Sequence, residues 1–230
     1  MNEFEMITIQ QENNEFILSI VVAIVTFVSV VVVYIDYRNR KNKERAEKSI
    51  EIAKDFALNI VEPLSIIHTF YKEYNIDKIL NKVHFLKLED FDIEELTNLY
   101  SEHDINEYLD IIEKNKIYND KNIKNIIGNV LNALEYHCMY ISSEIADDKY
   151  IYNSLHQQFL KSIALLYIEI SLINIDDKDK YYTNIIHVYN LWKDKYIESM
   201  KKELKILKKQ KKLNEKQKKL KKKLLPSPKI

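Results

Sequence analysis

The densest group of side chains able to hold a metal ion or make a Cys–His nucleophile is the run Glu135-Tyr136-His137-Cys138. Neighbouring side chains on a helix diverge by about 100°, so these donors cannot close on one ion. The other histidines, His68, His84, His103, His156 and His187, are scattered. None makes an H-E-x-x-H pattern, and a single cysteine offers no Cys pair for zinc. Phosphate-cradling loops, dinucleotide fingerprints and nucleophile elbows each need several glycines, and Gly128 is the only one. His137 and Cys138 are therefore given structural roles. No catalytic, cofactor-binding or metal-binding residue is assigned, and an enzyme is not expected.

One polar set remains. With Leu134 turned to the core, Gly128, Asn132, Glu135 and Met139 fall together on the far side of the same helix, a candidate contact face where Gly128 would allow close approach. The helix that carries them is predicted from Asn122 onward, because Ile123, Ile127, Val130, Leu134, Cys138, Ile141 and Ile145 recur every three or four residues. A second helix uses Tyr152, Leu155, Phe159, Ile163, Leu166, Ile170 and Ile173. The Ala146-Asp147-Asp148 connection between them is short enough to make the two antiparallel neighbours. A third follows the acidic run at 176–180, with Tyr182, Ile186, Tyr189, Trp192, Tyr196 and Met200 on its apolar face.

Upstream, Ala53, Phe56, Ala57, Ile60, Val61, Leu64 and Ile67 mark one more amphipathic helix, to be kinked or restarted at Pro63. Asp92 and Asp104 are placed at helix N-caps, each with a Glu three residues on. One glycine and three prolines in 230 residues leave little material for a sheet. The expectation is all-α: a bundle of about four main helices.

What sets this chain apart is Phe16 to Ile35, twenty residues without a charge in a protein that is 30% charged. As a helix it spans roughly 30 Å, the thickness of a bilayer's hydrocarbon core. It is too long and lacks the basic start and small-residue end of a cleaved signal peptide. Tyr34 and Tyr37 suit the interface, and Arg38, Arg40 and Lys41 follow at once, so the N-terminus is expected outside and the rest in the cytoplasm. The resulting divisions are 1–15 outside, 16–35 spanning, 36–75 juxtamembrane, 76–200 the helical body and 201–230 a Lys-rich tail. The single cysteine fits a reducing compartment.

The net charge of zero conceals segregation: residues 49–200 carry 26 acids against 15 lysines, while residues 201–230 carry 14 lysines against two Glu. The tail is read as one helix over 201–225, stopped by Pro226. Anionic lipid head groups are its nearest partner. Nucleic acid would bind only nonspecifically, since no Arg or aromatic residue is present for base reading. Docking onto the acidic body is a further option. Gln210 and Gln217 occupy seam positions that a coiled coil would need apolar, so self-association through the tail is weak.

Asn132-Ala-Leu-Glu135, then Asp147-Asp148, then Tyr189-Asn-Leu-Trp192 resemble an uncharacterised bacterial family that pairs an N-terminal membrane span with a small helical cytoplasmic domain. Some of its members are linked to phage abortive infection. The resemblance implies no catalytic residue. The expected role is a membrane-anchored binding or scaffolding module, with a homo-oligomer or another protein as partner. The alternative is a phage-defence effector that oligomerises and permeabilises the membrane or binds nucleic acid.

Overall fold

The computed structural model describes the backbone of residues 3–175 and 180–224, and the side chains of 26–175, 180–217 and Leu220. Among these residues the chain is all-helical apart from one two-residue strand pair. The long elements are α1 (Glu3–Asp55), α2 (Val61–Glu73), α6 (Ile123–Ser142), α7 (Asp148–Leu165) and α9 (Thr183–Leu224). Between them lie α3 (Ile76–Leu80), α4 (Ile93–Leu99), α5 (Glu102–Lys114), β1 (Ile117–Tyr118), β2 (Lys121–Asn122) and α8 (Tyr167–Ile173). The strands meet through Asn119 and Asp120, both at positive φ, the backbone that a two-residue hairpin turn demands.

The helical run from α1 through the following turn into α2 reaches the core through Ile52, Phe56, Ile60 and Leu64, all buried and spaced by four. In a plain α-helix each four-residue step slips by about 40° around the axis. A π-helical turn at Phe56–Ile60, closed by the Val61 N–H on the Phe56 carbonyl, absorbs that slip and keeps all four inward. Pro63 lies just beyond. It offers no N–H to the Asn59 carbonyl and its ring crowds that carbonyl, so the break expected at the proline falls on the turn before it. Ala57, counted on the apolar face from its spacing, is exposed, and Ile52 takes its place.

One hydrophobic cluster runs from Ile52 to Trp192. Residues 36–75, set apart as juxtamembrane, supply Phe56, Ile60, Ile67 and Phe70 to it, so residue 75 divides a single core. α6 takes α2 and α9 as main partners, while α7 takes α1 and α9. The two are therefore not the mutual neighbours their short connection suggested. α1 fills the space at that connection, where Ser49 bonds the Asp147 backbone.

Several boundaries also move. α6 ends at Ser142 and Glu144 turns at φ 56°, which leaves Ile145 exposed rather than on the stripe. The expected 152–173 helix is two helices, broken at Leu166, and α8 leaves α7 to pack on α4. α5 is capped by Ser101, not Asp104. The Ser101 hydroxyl accepts the Asp104 N–H at 3.2 Å while the Asp104 carboxylate turns back on Ser101 and also binds Lys82. Asp92 does cap α4, accepting the Glu95 N–H at 2.8 Å. The Lys-rich tail is the continuation of α9 rather than a helix of its own, and Leu225–Ile230 and residues 176–179 lie outside the described residues.

After a 3-10 turn at Phe85–Lys87, closed by the Lys87 and Leu88 N–H groups, the irregular stretch 88–92 is held by side chains. Glu95 accepts the N–H groups of Glu89, Asp90 and Phe91 at 2.7, 3.0 and 2.8 Å, and the Tyr167 hydroxyl at 2.9 Å. α9 satisfies the carbonyls: Tyr189 donates to Phe85, Lys193 to Leu88 and Asn190 to Glu89.

Candidate membrane and contact surfaces

Val30 to Ile35 are six consecutive apolar residues on α1, all exposed, with Phe27 and Val28 before them. At about 100° per residue, six residues cover every direction around the axis. Tyr34 and Tyr37 are 62% and 63% exposed, and Arg38, Arg40 and Lys41 are exposed directly below them. Arg40 pairs with Asp36 at 2.6 Å, one helical turn away. Among the described residues no helix is long and apolar enough to cross a membrane. The side chains of 16–25, half of the expected span, lie outside them.

Ten residues further on, the same helix is fastened to the body. Ser49 accepts the Asp147 N–H at 2.7 Å and donates to the Arg45 carbonyl at 2.8 Å. The Lys48 ammonium sits over the Tyr140 ring, 4.3 Å from its centroid. His137 Nε2 meets Asp55 Oδ2 at 2.7 Å, on the last residue before the π turn, while its Nδ1 is buried without a partner. Burial pushes the His137 pKa down, with the Asp55 carboxylate opposing. His137 thus joins α6 to α1. Cys138 is buried beside it, and burial pushes its thiol well up, away from the reactive thiolate.

The four-residue face on α6 is split. The Glu135 carboxylate accepts from Asn184 N at 3.1 Å, Asn184 Nδ2 at 2.7 Å and Ile185 N at 2.9 Å, capping the first turn of α9. Asn132 accepts a long hydrogen bond from the Tyr182 hydroxyl at 3.5 Å. Gly128 faces open space, since a Cβ there would meet nothing within 4 Å, and Met139 is exposed. These two are eleven residues apart, ~16 Å along the helix. Among the described residues no element uses the close approach that Gly128 permits.

The described residues hold no group of three or more His, Cys, Asp or Glu placed to bind a metal. They do hold a cavity that the sequence did not announce. It has a volume of about 820 Å3 and opens between α2, α3, the 82–87 segment and the second half of α7. Its lysines come from positions 82 and 87 on that segment and 161 on α7, two stretches that only the fold brings together. From Glu198 onward the described side chains of α9 are exposed, Leu204, Ile206, Leu207 and Leu213 among them. Comparison of the chain with protein-family models, with curated proteins and with solved structures finds no match.

Proposed function

We propose that this chain is a single-pass membrane protein whose span, residues 16–35, points its N-terminus outward. It holds a helical binding module at the cytoplasmic face. The observation that carries this reading is the uninterrupted exposed apolar surface from Val30 to Ile35, with Arg38, Arg40 and Lys41 at its lower edge. One partner helix covers one stripe of another, whereas hydrocarbon covers all sides. Cations at one end set the orientation.

The anchor and the module are one helix from residue 16 to Asp55, so the span is joined to the core through Ile52 and Phe56 without a flexible linker. The Lys-rich end of α9 adds a second contact, to anionic lipid. A lysine near such a surface contributes about 1 kcal/mol within a Debye length. Tethering keeps the tail close to that surface.

Two measurements test the two contacts. Full-length chain should stay with membranes through alkaline carbonate washing, and Val28→Lys combined with Val32→Lys should release it. Retention of the double variant would overturn the span. For the tail, a dye at Lys212→Cys in nanodiscs should transfer energy to a head-group acceptor when the lipid is anionic. It should lose that transfer in neutral lipid and near 0.5 M salt, where the Debye length is below about 5 Å. Equal transfer in neutral lipid would remove the lipid contact. Channel-like conductance of the purified chain would favour a self-assembling membrane effector instead.

A further inference from the structure

The cavity between α2 and α7 has walls of two kinds. Leu64, Leu80 and Ser162 are buried at its floor, with Val83, Phe85 and Leu165 half-buried around them. Exposed residues ring it: Lys82, Lys87, Lys161, His68 and His84, against the half-buried Asp77. Residues 49–200 carry eleven more acids than lysines, yet this lining carries three lysines and one acid. The local charge is the reverse of the body around it.

Those cations differ in availability. Lys82 is tied to Asp104. Lys87 and Lys161, like Lys54, Lys72, Lys78, Lys116, Lys121 and Lys149, make no ion pair among the described residues and are open to an anion. The His84 Nδ1 accepts the Leu86 N–H at 3.3 Å, which puts the proton of the neutral ring on Nε2 as a donor. Its ring stacks on Phe85 with centroids 4.8 Å apart and planes 26° apart, giving a flat apolar shelf beside that donor.

We propose that this cavity binds a small organic anion, a phosphate or carboxylate on a flat or aliphatic apolar body. The charged head lies among Lys87, Lys161 and His68, and the body rests on Leu64, Val83 and the Phe85 shelf. A volume of about 820 Å3 is in the range of cavities that enclose such ligands. A free inorganic anion would leave the apolar floor wet, and an apolar molecule would leave two lysines without a counterion. Resting on the membrane reading, one restriction follows. Val61 stands 26 residues beyond Ile35, about 40 Å along the helix at 1.5 Å per residue, so the ligand comes from solution and not from the bilayer.

The test uses 1-naphthyl phosphate as probe, read by its fluorescence anisotropy against the full chain in neutral-lipid nanodiscs, with empty nanodiscs subtracted. Saturable binding is expected. Lys87→Glu with Lys161→Glu should weaken it at least about tenfold, because both charge-assisted contacts become repulsive. Both sites are exposed, so Trp192 emission and helical content should not change. 1-Naphthylmethylammonium, a cation of similar shape that stays charged at neutral pH, should not bind, and inorganic phosphate should compete only at much higher concentration. Binding of 1-naphthoate as tight as the phosphate identifies a carboxylate as sufficient; weaker binding identifies a phosphate site. Absence of saturation by either anion at low-millimolar probe, unchanged binding by the double variant, or equal binding of the cation would overturn the proposal. The assay reads the cavity on whichever side of a membrane the body lies, so a negative result leaves the anchor reading intact.

Discussion

Glu135 receives the first backbone N–H groups of α9 together with the Asn184 amide, so it joins α6 to the helix that closes the core. Glu135→Ala removes the cap and the favourable charge at a helix N-terminus. Unfolding followed by the emission of the sole tryptophan, buried Trp192, should show a loss of about 1–2 kcal/mol, with Glu135→Gln losing less. No change in the alanine variant would refute the capping role. His137 gives a pH signature. Its folded-state pKa lies below the ordinary 6.5, so as pH falls the unfolded chain takes up the proton first. Its contribution to stability is complete above about 6.5 and declines as pH drops through that value toward the folded pKa. His137→Gln should flatten this part of a plot of melting temperature against pH; an equal slope would contradict it. The structural roles of His137 and Cys138 were legible, because Cys138 sits on the apolar stripe of its own helix. The work of Glu135 was not. Periodicity reports which face of a helix is buried and is silent about a helix end arriving from nearly fifty residues downstream.

At the scale of elements, the π turn has a consequence that can be tested with one deletion. Phe56–Ile60 accommodates one residue more than an α-helical turn would, and Leu58 within it is exposed. Removing Leu58 converts the spacing of four between Phe56 and Ile60 to three, and steps of four, three and four hold Ile52, Phe56, Ile60 and Leu64 within one stripe of an ordinary α-helix about 60° wide. The deletion should leave the Trp192 environment and helical content near wild type. Deleting exposed Glu51 instead should rotate everything before it by about 100° relative to Ile52 and detach Ser49 from Asp147. Equal damage from both deletions would show that the turn is not a compensating insertion. The helices themselves were legible wherever an apolar stripe was long, as in α6 and the start of α9. Their ends were not: the break at Leu166 and the stop at Ser142 depend on which neighbour each piece packs against. The cavity was equally hidden, since Lys161 lies more than seventy residues beyond Lys82 and Lys87 and joins them only when α7 packs against the 85–87 turn.

Across the whole molecule, one continuous helix links an apolar outer segment to the core, and a second carries a row of exposed lysines away from it. The body between them has eleven more acids than lysines, whereas residues 201–230 have twelve more lysines than acids, yet the described tail side chains are exposed rather than docked on the body. A basic helix that its own acidic body leaves uncovered is available to an anionic surface. All of this depends on the span. The most direct measurement places single cysteines by Glu5→Cys and Lys212→Cys in a Cys138→Ala background and treats intact cells with a membrane-impermeant maleimide. A single span with its N-terminus outside gives labelling at position 5 in intact cells and at position 212 only after permeabilisation. Labelling at position 212 in intact cells, or protection of position 5 until the cells are opened, would contradict it.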